Sequence, residues 1–354
     1  MLSETGLGAI GMMKTLSQAN AQPAVVRSLA QAGIKADPLS DLPFVSMALH
    51  AFAPANSLGN ARAAALLQEA NRRNPRSRPA KVMLLRYAIG RNDLEGAFRQ
   101  IAALERLNSP LAEQMIDVLA GAIGTQAQLA ELTRYLRQFD RLVPRFTAAF
   151  IGNKPDRALL AQYARSMAGS LQRDPPLQLQ LANALVRTGA VRAAWRLSGQ
   201  GDASPNASFN PDFSNTRMPP PFNWLLAEDE VGIAERTPAG LYVRYYGRQS
   251  GALLSQVLAL APGVYVGQLD FTPRADLRNS MAIRLRCITS GEVLETSVLE
   301  AEGGEPSTAS FTATVPAAGD CEGQYLELVG LSVQNAGSSQ LTAHRFELQA
   351  ARRQ

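Results

Sequence analysis

Histidine and cysteine are scarce in this sequence, with two residues of each type among 354. A zinc or iron site uses mainly histidine and cysteine ligands, so any metal here would have to depend almost entirely on carboxylates. No run approaches the roughly 18 consecutive apolar residues that a transmembrane helix requires. We therefore expect no metal, no other cofactor and no transmembrane segment in this chain.

Motifs for catalysis are equally sparse. The sequence contains no G-x-S-x-G, P-loop or dinucleotide-binding fingerprint. His50 lies in an apolar helical stretch and is typical of a core or capping residue, whereas His344 alternates with Phe346 on a predicted strand. The run Glu228-Asp229-Glu230 could supply paired carboxylates for glycoside hydrolysis, but three adjacent acids before a strand are more typical of a solvated turn. We predict that the protein is not an enzyme.

Charge is unevenly distributed along the chain. Residues 1–200 hold 24 Lys and Arg against 13 Asp and Glu, and residues 201–354 hold 11 against 17. A basic half can bind nucleic acid or another anionic polymer. The densest basic run, Arg72 to Arg78, is predicted to lie at a helix end, where cations complement the helix dipole. We interpret the arginines as a solvated surface and expect no nucleic acid, and binding of an anionic polymer remains the alternative.

Residue patterns change near position 200, and the length exceeds the roughly 100–200 residues of one domain. Residues 1–40 are predicted to be helical or poorly ordered, and residues 41–200 show apolar residues at helical spacing. Residues 201–221 are rich in Pro and Gly and are predicted to form an irregular linker. In residues 222–350 the apolar period becomes two, which predicts β-strands.

The helical half contains a repeat. Four positions recur 34 residues later: Ala63, Leu67, Ala70 and Pro75 correspond to Ala97, Ile101, Leu104 and Ser109. The stretch from Leu84 to Phe98 resembles the core of a tetratricopeptide repeat, with Asn92 where that family usually has glycine. A partial match follows at 181–195, and residues 110–172 between the two are helical but out of register. The resemblance implies paired helices and a groove for a peptide or protein partner, and pure spacing or scaffolding is the alternative.

In the second half, apolar and polar residues alternate, which predicts sheets with one buried face and one solvent-exposed face. Met281, Ile283, Leu285 and Cys287 alternate with more polar positions, and nine or ten short strands are predicted. Such a number of antiparallel strands indicates a sandwich or jelly roll. The predicted fold class is therefore multidomain α plus β: a helical-repeat part followed by an antiparallel β-sandwich.

A second resemblance concerns this sandwich. The stretch 258–265, Leu-Ala-Leu-Ala-Pro-Gly-Val-Tyr, resembles a strand–turn–strand of carbohydrate-binding-module jelly rolls, and 341–348 fits their last strand. The whole layout is similar to that of uncharacterised tetratricopeptide proteins of alphaproteobacterial cell envelopes. The resemblance to a fold family implies carbohydrate binding only weakly.

Both cysteines, Cys287 and Cys321, lie in the predicted sandwich. A pair confined to one small all-β region predicts a disulfide and an oxidising compartment, and two unlinked thiols in a cytosolic domain are the alternative. No signal peptide is evident, because Lys14 follows the first apolar run instead of preceding it. We expect a periplasmic or cell-envelope location with an export signal or anchor removed.

Aromatic and polar residues cluster at the start of the sandwich. On a strand, Tyr242, Arg244 and Tyr246 share one face, while Tyr245 lies on the other. Sugars bind to aromatic rings flanked by planar polar groups, so we predict a ligand site formed by Trp224, Tyr242, Arg244, Tyr246 and Arg248. The alternative is that the tyrosines, which are good strand formers, simply fill the sandwich.

These observations predict a non-enzymatic cell-envelope scaffold, whose helical repeats bind a protein partner and whose sandwich binds polysaccharide, in exopolysaccharide handling. A polysaccharide-modifying enzyme and a cytosolic adaptor are the alternatives. Paired acids in one cleft would favour the enzyme, and reduced cysteines would favour the adaptor.

Overall fold

The computed structural model of the chain describes residues 23–51, 57–199, 207–274, 277, 279–301, 303–317, 321–332 and 338–351. Predictions for residues 1–22 and 201–206 lie outside this described part. Among the described residues there are eleven α-helices: α1 Pro23–Ala36, α2 Leu42–Ala51, α3 Ser57–Arg73, α4 Arg78–Gly90, α5 Leu94–Glu105, α6 Pro110–Gly121, α7 Gln126–Gln138, α8 Val143–Gly152, α9 Arg157–Leu171, α10 Pro175–Arg187 and α11 Val191–Leu197. None of the helices in these ranges is long and apolar enough to cross a membrane.

Polar side chains fix several of the helix starts. Asp93, Asp156 and Asp174 each accept a hydrogen bond from the backbone N–H three residues later, at the N-termini of α5, α9 and α10. Thr125 forms a reciprocal capping box with Gln128 at the start of α7. These caps satisfy backbone donors that a helix leaves unpaired in its first turn. Helix starts are thus encoded locally in the sequence.

Several helices pack on the next helix along the chain, which gives the hairpins α2–α3, α4–α5 and α10–α11. These hairpins begin at Leu42, Arg78 and Pro175. Helix α6 instead packs mainly on α8, so residues 110–152 do not repeat this pairing, and the departure of 110–172 from the register stays a prediction. Asn92 has a φ of 55°, the left-handed conformation predicted for its turn. All six apolar residues of the predicted 34-residue repeat are buried: Ala63, Leu67, Ala70, Ala97, Ile101 and Leu104.

The second half is the predicted antiparallel sandwich. Its strands are β1 Leu225–Leu226, β2 Gly232–Thr237, β3 Gly240–Tyr245, β4 Gly251–Leu258, β5 Gly263–Pro273, β6 Met281–Cys287, β7 Val293–Val298, β8 Ser307–Val315, β9 Gln324–Gly330 and β10 Ser339–Ala350. One sheet has the order β2-β3-β10-β5-β8 and the other β1-β4-β9-β6-β7. The Pro262-Gly263 turn connects β4 to β5 and carries the chain from one sheet to the other. The predicted α plus β fold class with a jelly-roll sandwich is confirmed.

The inner faces of the two sheets share one apolar core. Met281, Ile283 and Leu285 of β6 and Leu326 and Leu328 of β9 are buried in it together with apolar residues of the other sheet. Cys287 also points inwards, as its alternation with Arg286 predicts. The period-two pattern therefore assigned the faces correctly.

Contacts within the chain divide it into two compact units, residues 1–154 and residues 155–354. Helices α9 to α11 thus belong with the sandwich. Val191 at the start of α11 lies directly over Gly323, where the strand has no room for a Cβ atom, and Trp195 meets Phe222 edge-on at 5.1 Å between ring centroids. That residues 41–200 and residues 222–350 each fold as an independent domain stays a prediction.

The stretch 207–221 is irregular in backbone, as expected for a Pro-rich segment, but it lies on the sandwich. Gln256 exchanges two hydrogen bonds with the backbone of Phe209, at 2.9 and 2.7 Å. Phe213 is 4% exposed, and its ring centroid lies 5.5 Å from that of Trp224. The expectation that this segment is a linker with few contacts is therefore wrong, because Phe213 lies in the sandwich core and the Phe209 backbone is hydrogen-bonded to Gln256.

Cys287 and Cys321 are joined by a disulfide, with 5.0 Å between their Cα atoms. The bond connects the end of β6 to the residues that precede β9. Because it closes the loop that contains β7 and β8, the chain-entropy model assigns it about 3–4 kcal/mol of stability.

We expect Cys321→Ser to lower the unfolding free energy of residues 155–354 by about 3 kcal/mol, because the unfolded chain regains the freedom that the disulfide removes. Both tryptophans, Trp195 and Trp224, lie in this unit, so tryptophan fluorescence during denaturant unfolding reports on it alone. The Cys287→Ser/Cys321→Ser double variant should lose the same amount. Free thiols in the oxidised protein, or an unchanged midpoint, would contradict the prediction.

Phe213→Ala should destabilise the same unit by about 3–5 kcal/mol in the same fluorescence measurement, because it empties a buried ring site. Thr216→Ala, three residues on and exposed, is the matched control and should change stability by less than about 0.5 kcal/mol. Equal, small effects of both changes would show that the segment is a linker after all.

Candidate ligand-binding site

Strand β3 separates its tyrosines between two environments. Tyr245 is 0% exposed and lies in the core with Leu241 and Val243. Tyr242 and Arg244 point to the outside of the sheet, where Tyr242 is half-buried and Arg244 exposed. Tyr246 directly follows the strand, is half-buried, and donates its backbone N–H to the carbonyl of Val231 at 3.0 Å. The predicted division of these residues between two faces is therefore observed.

Strand pairing brings further polar residues beside them. Gln340 of β10 is the register partner of Arg244, and Arg274, immediately after β5, donates its backbone N–H to the Gln340 carbonyl at 3.0 Å. The Tyr242 hydroxyl donates to Oε1 of Gln340 at 3.0 Å. Sequence reasoning missed Arg274 and Gln340, because they lie about 30 and 100 residues from Tyr242 and only the strand order brings them to it.

Each ring is paired with a guanidinium group. The Arg244 Cζ lies 5.7 Å from the ring centroid of Tyr246, and the Arg274 Cζ lies 5.0 Å from that of Tyr242. A guanidinium over a ring face is held by the ring quadrupole, typically by about 0.5–1 kcal/mol at exposed sites. We call these four residues with Gln340 the β3 platform: Tyr242, Arg244, Tyr246, Arg274 and Gln340.

Trp224 does not belong to the platform. It is 2% exposed, stacks on Phe346 at 5.0 Å between centroids, and donates its indole N–H to the Asn210 carbonyl at 2.8 Å. The prediction of Trp224 as a ligand residue is therefore wrong, since neither ring face reaches solvent. The burial of Trp224 beside Phe213 could have been suspected, because aromatic residues are frequent in this part of the sequence. Arg248 is exposed on the turn between β3 and β4, outside the strand register that forms the platform.

Each of the residues considered for catalysis has a local structural role or is exposed to solvent. Glu228, Asp229 and Glu230 are all exposed on the turn before β2, where Asp229 accepts a hydrogen bond from the backbone N–H of Val231 at 2.8 Å. His50 Nδ1 lies 2.9 Å from the Ser46 carbonyl in its own helix. His344 is exposed and bridges Thr272 Oγ1 and the Ala239 carbonyl, each at 2.9 Å. The three acids therefore occupy a solvated turn, as the alternative to a catalytic role predicted.

The outside of the other sheet carries a charge cluster with a structural role. Arg284 and Arg286 of β6 both donate to the carboxylate of Glu327 on β9, at 2.8–3.0 Å, and Glu327 is 2% exposed. The hydrogen bonds to Glu327 raise the pKa of Arg286, and burial raises the pKa of the neighbouring Tyr325. Two guanidinium groups thus compensate one buried carboxylate, which would otherwise be costly to remove from water.

No family model matches this chain, and no curated protein is similar to it. Part of it is similar to solved structures. TmCBM61 in complex with beta-1,4-galactotriose is 14% identical, over 40% of this chain and 96% of that chain, with a TM-score of 0.30. A carbohydrate binding module from Cellvibrio mixtus lichenase 5A in complex with cellotriose is 14% identical, over 36% and 92%, with a TM-score of 0.25.

An arabinose-bound α-L-arabinofuranosidase is 12% identical, over 36% of this chain and 23% of that chain, with a TM-score of 0.27. Likeness at this level carries no conclusion about ligand or activity. What this chain binds has to be argued from its own residues.

The assignment of Trp224 to the core and of Tyr246 to the surface can be tested by stability. Trp224→Ala should lower the unfolding free energy by about 3–5 kcal/mol, because it leaves a cavity and removes the hydrogen bond to Asn210. Tyr246→Ala should cost about 1 kcal/mol or less. Denaturant unfolding followed by the fluorescence of Trp195 measures both, and comparable losses would contradict the assignment.

Proposed function

We propose that this protein is a non-enzymatic glycan-binding protein whose sandwich binds polysaccharide through the β3 platform. The observation that carries the proposal is the pairing of two outward-facing tyrosines, each with an arginine, on one sheet face. Tyr242 is in addition oriented by its hydrogen bond to Gln340.

The chemistry of the platform suits a sugar chain. An aromatic ring stacks against the apolar C–H face of a pyranose, while the planar guanidinium and amide groups beside it bind hydroxyls and carboxylates. Because the rings are held by their arginine and glutamine neighbours before a ligand arrives, binding orders few side chains and costs less entropy. We expect modest affinity, since two half-buried rings offer a limited contact area.

We place the protein in an oxidising compartment, such as a periplasm or another part of the cell envelope, in exopolysaccharide handling. The support for this location is the Cys287–Cys321 disulfide, since such bonds persist mainly outside the reducing cytosol. A cytosolic adaptor would not be expected to retain it. A polysaccharide-modifying enzyme would need paired acids at the platform, where Glu235, the register partner of Tyr242, is a single acid beside Arg244 and Arg274.

The helical hairpins of residues 23–154 suit a second role, the binding of a protein partner on a tetratricopeptide-like surface. The observation that favours this role is an apolar groove between α5, α6 and α7, lined by Leu94, Phe98, Ile123, Leu132 and Tyr135. Tyr135 stacks on Phe98 at 5.3 Å, so the groove has a fixed aromatic floor. An apolar peptide side chain is the complementary occupant, and the protein would thus be a scaffold that also engages polysaccharide.

Binding of the full chain to an array of neutral and acidic glycans tests the platform. Tyr246→Ala and Arg274→Gln should each weaken binding of the best glycan at least about tenfold, which corresponds to about 1.4 kcal/mol of binding free energy. Thr312→Ala is the matched control, because Thr312 is exposed on β8 at the far edge of the same sheet. It should leave the affinity unchanged.

Two outcomes would overturn this function. The first is the absence of glycan binding by the wild-type chain at millimolar ligand. The second is binding that survives both platform substitutions while their unfolding midpoints stay at the wild-type value. Hydrolysis of the bound glycan by wild-type protein would favour the enzyme instead.

A further inference from the structure

A concave surface lies on the helices of the 155–354 unit, and its lining shares no residue with the β3 platform. Helices α9 and α11 pack side by side, and a groove that encloses about 430 Å³ runs over them. Four arginines line it, Arg157 and Arg165 from α9 and Arg192 and Arg196 from α11, and Glu322 is the acidic residue among its lining. Its floor consists of alanines from the same helices, which let a ligand approach the helix backbones closely. We call it the arginine groove.

The lining of this groove is rich in positive charge, with four arginines and one glutamate. Arg157 forms an ion pair with that glutamate, Glu322. Arg165 and Arg192 are exposed, and within the described part of the chain neither forms an ion pair. Two other arginine clusters differ, because each contains a shared carboxylate: Arg72 and Arg73 share Glu69, and Arg284 and Arg286 share Glu327. The like charges of Arg165 and Arg192, held in one groove without an ion pair, favour an anionic ligand.

The groove is built on rigid supports. Val191, which precedes Arg192, lies against Gly323, and Gly189 comes close to Thr289. Trp195, which precedes Arg196, packs on Phe222. Glu322, which positions Arg157, is the neighbour of the disulfide-bonded Cys321. The two rows of arginines are therefore held in place before any ligand binds, which limits the entropy lost on binding.

Spacing and composition indicate what the groove can bind. Eight residues of α9 separate Arg157 from Arg165, about 12 Å along the helix, which is too long for one phosphate or carboxylate and fits a chain of anionic groups. The groove lining contains no aromatic side chain, whereas single-stranded nucleic acids are typically bound on aromatic stacking platforms. Guanidinium groups bind carboxylates in a bidentate geometry, and the disulfide indicates an oxidising compartment, so a carboxylate polymer outside the cytosol is the occupant we favour.

We infer that the arginine groove binds an acidic polysaccharide through its carboxylates. Arg165 and Arg192 supply the main charge contacts, and Arg157 and Arg196 extend them along the chain. Such a site acts through charge and is sensitive to salt, unlike the stacking on the β3 platform. It stands whether or not the platform binds a sugar.

The test measures binding of the full chain to polygalacturonate, a linear uronate polymer, at low ionic strength. Arg165→Gln/Arg192→Gln should weaken binding at least about tenfold and flatten its dependence on salt, because two charge contacts are lost. Arg187→Gln/Arg217→Gln is the matched control: it removes the same net charge from exposed positions of the same unit that do not line the groove. It should change affinity less than about twofold.

Three results would overturn the inference. Equal losses in both double variants would mean that binding follows overall charge, and undiminished binding in Arg165→Gln/Arg192→Gln would place the anion elsewhere. Tighter binding of a DNA oligonucleotide than of polygalacturonate, lost in the same variant, would assign the groove to nucleic acid. A Tyr246→Ala variant measured on a neutral glycan separates failure of the platform from failure of the groove.

Discussion

The close approach of helix α11 to the start of β9 is the constraint on which the second unit depends. Gly323 has no side chain, so Val191 can lie on the strand and Trp195 can reach Phe222. The disulfide between Cys287 and Cys321 holds the same place, since Cys321 is two residues from Gly323 and Cys287 is paired with Gln324. A helix layer, a strand start and a covalent link therefore meet within a few residues, and the arginine groove is built at this point.

The two surfaces of this unit that we propose as binding sites differ in physical character. The β3 platform is formed from rings that carry arginines above them, so its interactions are short-ranged and depend on contact. The arginine groove has an excess of positive charge over an alanine floor, so its interactions extend further and weaken with salt. A polysaccharide that carries both pyranose faces and carboxylates could use both surfaces, with charge increasing the rate of encounter and stacking setting the preference for a sugar.

Alternation and capping explain how much of the fold could be predicted from sequence. Met281, Ile283 and Leu285 point inwards because a strand places every second side chain on one face, and this follows from local geometry alone. Asp93, Asp156 and Asp174 mark helix starts for an equally local reason. The linker prediction for 207–221 fails because prolines indicate only an irregular backbone, whereas the contacts of this segment depend on Phe213 entering a core built from distant residues and on Gln256 binding the Phe209 backbone. Local composition therefore predicts the backbone conformation of such a segment, but it does not predict whether the segment is buried.

By itself, the sequence determined the fold class and the face on which each β3 residue lies, because periodicity leaves few alternatives. It also predicted a disulfide between its two cysteines, but only the structure decided between that bond and two free thiols. The tertiary structure alone decided which residues share a site. Arg274 and Gln340 join Tyr242 through strand order, and Trp224 turns inwards because the core has space for its ring and Asn210 provides a carbonyl for its N–H. The arginine groove likewise combines residues 157 to 196 with Glu322. Sites of this kind depend on long-range pairing of strands and helices, which no local pattern of residues encodes.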